Sequence, residues 1–384
     1  MKKYKSFLFL TVFAGCVFPS SSHSIETKAK NAVLMDFETG TFFFQKNADE
    51  KMPPASMSKL VTAYMIFDRL KNGSLSMNDE FIVSENAWRK GGAKTGSSTM
   101  FLKIGDKVKL SDLLRGIIVQ SGNDACITAA ENIAGSEKEF VDLANQKIVE
   151  LGLNHSHLAN ATGWPNPDHY MSPKDLAVLS GQIIRNFPEY YGIYSEKEFT
   201  YNGIKQENRN PLLFLMPGMA DGIKTGHTTV SGYGLVGSAK KGNRRIIMVI
   251  NGLKTMKERS EEAQKLILWG FRSFDNYTIL KKDVSVVNVP VWLGRTKNVA
   301  AVPAEDVVLT VPKGKQKEIS AKVTYEKPLS APVKKGQKVG SLILRIPDQE
   351  NMSVDLFAAN DVKRLGYFGR LKELIKYLLF QNIN

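Results

Sequence analysis

The sequence predicts an α/β (α+β) fold: a sandwich of helices and an antiparallel sheet, followed by a small all-β domain and a C-terminal amphipathic helix. In the first part of the chain, patterns typical of strand, helix, strand and helix follow one another. In the part that follows, short valine-rich runs alternate with Lys-Gly and Pro turns. The chain has 384 residues, a length that allows two domains.

The first domain is predicted to span residues 25–276. Pro53-Pro54 prevents a helix before the apolar, helix-spaced segment that begins at Lys59, and Ser172 and Asp175 have the spacing of a helix cap. The segments with regular patterns are a hairpin at 33–37 and 41–45, helices at 59–70 and 125–133, a helix beginning at Pro173, strands at 220–223, 232–239 and 245–253, and a helix at 260–274.

The second domain is predicted over residues 280–362, with strands near 284–287, 307–311 and 342–346. It contains no catalytic constellation, so we expect a spacer or partner-docking role for it.

The last segment, residues 366–384, is predicted to be a basic amphipathic helix that can lie in a membrane interface. Packing of this helix on its own domain is the alternative. Its apolar residues recur at helical spacing, with the basic residues elsewhere on the wheel: Phe368, Leu371, Leu374, Ile375, Leu378 and Leu379 against Arg370, Lys372 and Lys376.

Residues 1–24 are predicted to be a secretory signal peptide. Three lysines precede an apolar stretch, and the small residues Ser22 and Ser24 favour cleavage after Ser24. Lipidation of Cys16 is a less favoured alternative, and Cys126 is expected to be a buried apolar residue. Loss of the three lysines lowers the formal net charge from +14 to +11. For an exported chain of this charge we expect no nucleic-acid partner, but rather anionic phospholipid or a polyanionic cell wall.

The segment Ser56-Met57-Ser58-Lys59 places a lysine three residues after a serine at the start of a predicted helix. The two side chains then lie on one face, one turn apart, so the amine can act as the base that a serine nucleophile needs. A helix cap is the alternative role for Ser56. A second S-x-x-K at Ser238 falls in a strand pattern, and a second K-T-G at Lys94 falls in a Gly- and Ser-rich loop.

Two further motifs follow in order. Ser121-Gly122-Asn123 separates two apolar helical runs, and Lys224-Thr225-Gly226 ends a short strand pattern. We expect the polar side chains of Ser121 and Asn123 to point into a cleft between helices, and Lys224 to face the helix that carries Ser56. A plain loop and a plain strand end are the alternatives.

With these motifs the chain resembles the low-molecular-mass penicillin-binding proteins that act as serine D-Ala-D-Ala carboxypeptidases. The resemblance covers nearly all of the chain after the signal peptide, and its S-G-N motif is similar to the carboxypeptidases rather than to the S-D-N of class A β-lactamases. The similar stretches are Pro54 to Leu60, Gln120 to Cys126, Asn208-Arg209-Asn210, Asp221 to Thr228 and Leu268 to Arg272.

The resemblance implies a fold like that of penicillin-binding proteins and β-lactamases. It also implies Ser56 as nucleophile, Lys59 as base with a lowered pKa, and Ser121 as proton relay. The residues implied in substrate binding are Asn123 at the peptide, Lys224, Thr225 and Gly226 on the carboxylate side, Arg209 and Arg259 near the carboxylate, and the backbone of His227 with that of Ser56 in the oxyanion hole.

The expected substrate is the stem peptide of peptidoglycan, and β-lactam antibiotics are expected to acylate Ser56. The resemblance also favours a membrane-surface role for the C-terminal helix, and thus a peripheral protein at the periplasmic face of the cytoplasmic membrane. Action on cross-links as a D,D-endopeptidase, and a non-catalytic wall- or membrane-binding function, remain alternatives.

Other chemistries find less support in the sequence. A class A β-lactamase needs a glutamate for deacylation, and the acids of residues 151–188 are Asp168 and Asp175. Lys59 is therefore the residue expected to activate the deacylating water. His155 and His157 have no third ligand nearby in sequence, so neither a metal nor another cofactor is predicted.

Overall fold

The computed structural model describes residues 25–325, 329–347 and 351–380. The predicted signal peptide, including Cys16, lies outside these residues, as do the last four residues of the predicted C-terminal segment. In the described ranges, no helix combines the length and apolar character that a membrane crossing requires.

Strands and helices alternate in long runs along the chain. The strands are β1 (Asn31–Asp36), β2 (Phe42–Lys46), β3 (Glu80–Ile82), β4 (Lys107–Lys109), β5 (Glu198–Tyr201), β6 (Ile204–Glu207), β7 (Ala220–Thr228), β8 (Gly232–Lys241), β9 (Arg244–Leu253), β10 (Phe274–Leu280), β11 (Val287–Trp292), β12 (Asn298–Pro303), β13 (Val307–Pro312), β14 (Ser320–Thr324), β15 (Leu329–Ser330), β16 (Lys338–Arg345) and β17 (Met352–Ala358). The α-helices are α1 (Lys59–Lys71), α2 (Glu85–Gly91), α3 (Leu110–Ile118), α4 (Asn123–Ala134), α5 (Glu137–Glu150), α6 (Pro173–Asn186), α7 (Pro188–Tyr191), α8 (Leu212–Leu215), α9 (Met256–Ser273) and α10 (Tyr367–Phe380), with 3₁₀ turns at Ala55–Ser58, Ala93–Thr95, Gly192–Ser195 and Gln316–Glu318.

The main sheet is antiparallel, in the order β2-β1-β9-β8-β7. Alternate residues of a strand face opposite sides of a sheet. On β1, Val33 lies in the apolar core formed with α1 and α6, while Ala32 and Leu34 lie in the core formed with α9. Helices therefore cover both faces, which confirms the predicted sandwich.

The predicted elements of this region are present with small shifts. The hairpin forms as β1 and β2, and the closing helix begins at Met256 rather than at residue 260. Ser172 caps α6 through the backbone N–H of Asp175, as its spacing indicates. Two small strand pairs, β3 with β4 and the hairpin of β5 with β6, were not predicted, because strands of three or four residues have too few positions for a detectable alternation.

The C-terminal part is rich in strands, as expected. Six strands form a sheet in the order β14-β16-β17-β12-β11-β15, and β10 pairs separately with β13. Strand β10 spans the interval between the predicted end of the first domain at Asn276 and the predicted start of the second at Leu280.

A buried polar contact joins the main sheet to this β-rich part. The carboxylate of Asp36 is fully buried at the end of β1 and lies 2.7 Å from Nε of Arg244. It also accepts a hydrogen bond of 2.9 Å from Asn276 on β10. Thr39 and Thr310 add a hydroxyl–hydroxyl contact of 2.6 Å beside it.

Candidate active site

A cavity of about 920 Å³ lies between edge strand β7 and the helical region, and we call it the central cavity. All three sequence motifs contribute to its wall. Its lining includes Ser56, Ser121, Asn123, Thr162, Gly163, Trp164, Glu207, Arg209, Thr225, Gly226, His227, Tyr233, Met256 and Arg259. The two lysines of the motifs, Lys59 and Lys224, are buried just behind this wall.

Ser56 lies in the 3₁₀ turn Ala55–Ser58, which runs directly into α1. The α-helix itself begins at Lys59, three residues after Ser56. Ser56 therefore lies in the turn before the helix rather than at the helix N-terminus. The turn still brings the predicted pair together: Nζ of Lys59 lies 2.9 Å from Oγ of Ser56. Ala55 has φ = +48°, so the residue before the serine is held in the left-handed region.

The ammonium group of Lys59 has two further acceptors. It donates to Oδ1 of Asn123 at 2.7 Å and to the backbone oxygen of Thr162. Burial of the side chain, together with the nearby charge of Arg209, lowers the pKa of Lys59 to about 8. A lowered pKa was expected from burial and a nearby cation; burial is the largest cause, and the cation that contributes is Arg209 rather than the expected Lys224.

Ser121 and Lys224 form a second hydroxyl–amine pair, with Nζ of Lys224 donating to Oγ of Ser121 at 2.9 Å. Ser121 has φ = +62°, again in the left-handed region. The pKa of Lys224 lies well below its ordinary value because the group is buried and because Lys59 and Arg209 repel its charge. Lys224 thus contacts the second serine, while Thr225 is the residue of the motif that faces the cavity beside Gly226.

Asn123 is the first residue of α4 and lines the central cavity. Its position is fixed by its backbone N–H, which donates to the backbone oxygen of Ser98 at 2.8 Å. Its side-chain oxygen is occupied by Lys59. The part of the amide that is available to a ligand is therefore its NH₂ group.

Asp124 is a buried residue of this site that the sequence analysis missed. Its carboxylate accepts from the hydroxyl of Thr99 at 2.6 Å and from the backbone N–H groups of Met100 and Leu102. These bonds tie the loop before α3 to the start of α4. Its place next to the S-G-N motif is the sequence feature by which it could have been found.

Two arginines line one wall of the central cavity. Arg209 donates to Oγ of Ser98, and Arg259 donates to the backbone oxygen of Arg209 at 3.3 Å. Arg259 is 6% exposed, and within the described residues its Nε has no hydrogen-bond partner. Burial lowers the pKa of Arg259 to about 10. The pair forms an incompletely satisfied cationic wall, which favours an anionic ligand.

Strand β7 passes very close to the turn that carries Ser56. A Cβ atom added at Gly226 would lie 2.7 Å from the backbone oxygen of Pro54, so this position requires glycine. The next residue, His227, is exposed, and its ring stacks on Tyr233 with centroids 3.9 Å apart. Its backbone directly follows Gly226, the residue that lies against the turn of Ser56.

A tight loop at residues 160–165 forms the opposite part of the wall. The side-chain oxygen of Asn160 accepts hydrogen bonds from the backbone N–H groups of Thr162, Gly163 and Trp164 at 2.8–3.1 Å. Asn and Gly so close together are typical of a turn, but the sequence does not indicate that this turn meets the active site. Glu207, on β6, is a further lining residue that was missed, and no pattern indicated it.

The remaining candidates, Cys126, Asp175, His155 and His157, do not line the central cavity. Within the described ranges, no three His, Cys, Asp or Glu side chains are grouped so that they could hold a metal ion. Cys126 is a free, buried thiol whose pKa burial raises to about 11, as expected of an unreactive cysteine. Asp175 accepts hydrogen bonds from His155 and Ser156, in agreement with a structural role.

One cavity combines two serine–lysine pairs with a cationic wall. This combination is typical of a serine hydrolase of the acyl-transfer class. Comparison with known proteins identifies the family. Residues 18–255 match the peptidase family described as D-alanyl-D-alanine carboxypeptidase, and residues 274–364 match the C-terminal domain of penicillin-binding protein 5.

Curated relatives agree with this match. The chain is 39% identical to the D-alanyl-D-alanine carboxypeptidase DacC of Escherichia coli, over 96% of this chain and 93% of the relative. It is 38% identical to DacA of the same organism, over 91% of this chain and 87% of that protein.

Solved structures agree as well. Penicillin-binding protein 5 of Haemophilus influenzae has a TM-score of 0.81 at 38% identity, covering 89% of this chain and 99% of that one. The carboxypeptidase DacD of Francisella tularensis has a TM-score of 0.76 at 31% identity, covering 88% and 95%. The chain belongs to the D-alanyl-D-alanine carboxypeptidase family, a family of penicillin-binding serine hydrolases.

Proposed function

We propose that this protein removes the terminal D-alanine from peptidoglycan stem pentapeptides through an acyl-enzyme on Ser56, and that penicillins acylate the same serine. The contact of 2.9 Å between Nζ of Lys59 and Oγ of Ser56, at the wall of the central cavity, is the observation that supports this most directly. A serine hydroxyl becomes nucleophilic when a base lies within hydrogen-bond reach.

In the acylation step, neutral Lys59 takes the hydroxyl proton while Oγ of Ser56 bonds to the carbonyl carbon of the penultimate D-alanine. We assign the developing oxyanion to the backbone N–H groups of Ser56 and His227, which are preorganised donors. The C–N bond then breaks as the proton that Lys59 took passes, through Oγ of Ser121, to the leaving nitrogen; Lys224 contacts this hydroxyl. Lys59, neutral again, deprotonates the water that attacks the acyl-enzyme and returns this proton to Oγ of Ser56 as the ester bond breaks.

Substrate recognition is assigned to the cationic wall. Arg209, Arg259 and Thr225, which all line the central cavity, would hold the terminal carboxylate. The NH₂ group of Asn123 would bind the peptide carbonyl on the acyl side. Lys224, which contacts Ser121 behind the wall, would act on the proton relay rather than on the carboxylate directly.

The first test is intact-protein mass spectrometry after the purified protein is mixed with benzylpenicillin. We expect a long-lived adduct of one penicillin, which is absent in Ser56→Ala. Ser238→Ala, in the second S-x-x-K sequence on β8, is the matched control and retains the adduct. A short-lived adduct with bulk drug hydrolysis would instead identify a β-lactamase, and no adduct on folded protein would remove the catalytic proposal.

The second test is release of D-alanine from an N-acylated tripeptide that ends in D-Ala-D-Ala. The same peptide with L-Ala at its terminus is the control and should not be cleaved. Cleavage of a cross-linked muropeptide at a comparable rate would favour the endopeptidase alternative.

We further propose that the protein is exported to the periplasmic face of the cytoplasmic membrane and rests on that membrane through α10. Support comes from the signal-peptide pattern of residues 1–24 and from apolar side chains on α10 that are at least 44% exposed: Tyr367, Phe368, Leu371, Leu374 and Ile375. Residues 25–276 would form the catalytic domain and residues 280–362 a spacer or docking domain.

A further inference from the structure

Trp164 is a large apolar side chain left half exposed at the wall of the central cavity. It is 50% exposed and lines the same cavity as Ser56. Tryptophan buries a large area when it is covered, and its ring offers a flat surface for stacking. A tryptophan in this position is therefore a surface on which part of a bound ligand can pack.

The loop holds this residue rigidly through backbone atoms. The backbone N–H of Trp164 donates to Oδ1 of Asn160 at 3.0 Å, and its carbonyl accepts from Nδ2 of Asn160 at 2.9 Å. The same oxygen of Asn160 also accepts from the hydroxyl of Thr162 at 2.9 Å. Because these bonds use no atom of the indole, a change of the side chain leaves the loop conformation supported.

The loop is also placed directly against the nucleophile turn. The backbone oxygen of Thr162 accepts a hydrogen bond from Lys59, and a Cβ atom at Gly163 would lie 2.1 Å from the backbone oxygen of Ala55. Trp164 follows these two residues. It therefore adjoins the side of Ser56 on which this loop, rather than strand β7, forms the wall.

The cationic wall is anchored to different elements. Arg209 is held by Ser98, and the guanidinium of Arg259 lies over the ring of Tyr233, 5.7 Å from its centroid. Within the described part of the chain, neither arginine lies over the ring of Trp164. If the terminal carboxylate binds the arginines, the acyl side of the scissile bond points toward Trp164.

We propose that Trp164 forms a subsite for an aromatic or other apolar group on the acyl side of the scissile bond. This inference rests on the proposed function, since it takes Ser56 as the acylated residue and the arginines as the carboxylate site. The ring then affects the rate at which different acyl donors acylate Ser56, and it takes no part in the bond-making steps.

The test compares two penicillins that share one nucleus, one with a phenylacetyl side chain and one with an acetyl side chain. The measured quantity is the second-order acylation rate constant. We expect Trp164→Ala to lower it about tenfold for the phenylacetyl compound and less than about twofold for the acetyl compound. Trp164→Phe should keep most of the preference, because it retains an aromatic face.

Phe368→Ala, which removes an exposed aromatic side chain of α10, is the control and should leave both rate constants unchanged. An equal decrease for both penicillins in Trp164→Ala would mean that the ring supports the catalytic loop, and no decrease would mean that it contacts no ligand. Either result overturns the subsite. Failure of the unaltered protein to react with either penicillin would remove the proposed function and this inference together.

Discussion

The ammonium group of Lys59 has three N–H bonds and three acceptors: Ser56, Asn123 and Thr162. After loss of one proton, two N–H bonds can still serve Asn123 and the carbonyl of Thr162. The lone pair is then free to face the hydroxyl of Ser56. The side chain of Lys59 can therefore keep the same position whether its amine is protonated or neutral. The two forms differ only in the proton that faces Ser56.

The pH dependence of acylation follows from this arrangement. With a pKa of about 8, roughly a tenth of Lys59 is neutral at pH 7, and the neutral form increases as the pH rises. We expect the penicillin acylation rate constant to rise roughly tenfold per pH unit below pH 7 and to level off above about pH 8.

Stopped-flow acylation between pH 5.5 and pH 9.5, roughly the range over which such a group titrates, measures this profile. Lys59→Arg is the control, since a guanidinium stays charged throughout, and its rate constant should be lower by about 10³ at pH 8. A rate constant for the unaltered protein that does not change between these limits would exclude Lys59 as the base.

At this scale the sequence predicted residues whose partners are close in the chain. Ser56 and Lys59 follow from a spacing of three, and Ser121, Asn123 and Lys224 from their motifs. Asp124 was missed although it adjoins a motif. Asn160, Trp164 and Glu207 could not be predicted, because none belongs to a periodic pattern and their place beside the active site appears only in the folded protein. The contact of Lys224 with Ser121, 103 residues away, likewise appears only in the folded protein.

At the scale of elements, the active site depends on two places where backbones touch without side chains between them. Gly226 brings β7 against the turn of Ser56, and Gly163 brings the loop at 160–165 against the same turn. Both positions are crowded by backbone oxygens, which cannot move aside as a flexible side chain would. The two contacts hold the nucleophile turn against two separate segments, β7 and the loop at 160–165.

Gly163→Ala tests the second contact. Gly163 has φ = +82°, and its Cβ atom would meet the backbone oxygen of Ala55 at 2.1 Å. We expect a loss of about 3 kcal/mol in the free energy of unfolding and a marked decrease in acylation, because Thr162 shifts away from Lys59. Chemical denaturation and the penicillin acylation rate measure the two effects.

Gly73→Ala is a matched control, since Gly73 has φ = +79° but no atom within 4 Å of the added Cβ. It should lose about 1 kcal/mol from backbone strain and keep full acylation. Equal acylation rates in the two variants would show that the position of the loop at 160–165 does not affect the function of Lys59 in acylation.

Long elements with a clear period were predictable, and short ones were not. Helix α1 and strands β8 and β9 have ten or more residues each, which gives their patterns room to repeat. The 3₁₀ turn at Ala55–Ser58 has four residues, and its position is set by contact with β7 and with residues 162–163. The sequence therefore predicted Ser56 at the N-terminus of the helix, whereas it lies in the 3₁₀ turn that leads into α1.

At the scale of the whole molecule, the buried carboxylate of Asp36 connects the main sheet with β10. Asp36→Asn removes one charge of a buried pair and leaves Arg244 without its counterion. We expect a loss of about 3 kcal/mol in the free energy of unfolding, measured by urea denaturation. Asp142→Asn breaks an exposed pair with Lys138 and should cost less than about 0.5 kcal/mol. Equal costs would mean that the junction contributes no more than a surface contact.

Membrane association is predicted to depend on α10 as a unit. Leu371→Glu places a charge on its exposed apolar face, and we expect this variant to lose most of its co-sedimentation with anionic phospholipid vesicles while keeping penicillin acylation. Val149→Glu changes another exposed apolar residue, on α5, and should still co-sediment. Retained binding by Leu371→Glu would place the membrane contact elsewhere or exclude it.

The two-part architecture was predictable because the two parts differ in sequence pattern. The first part has mixed helix and strand patterns, and the second has short valine-rich strands. How the halves join was not predictable. Residues Asp36, Arg244 and Asn276 are separated by 208 and 240 positions along the chain, and no local pattern relates them.

The loop that displays Trp164 has a consequence for how this enzyme can change over time. Its hydrogen bonds to Asn160 run through backbone atoms, and its contact with the nucleophile turn is made at Gly163. Selection can therefore exchange the side chain at position 164 without disturbing the catalytic lysine. Under antibiotic pressure, this is a position where the enzyme can alter which drugs it accepts while it continues to build the cell wall.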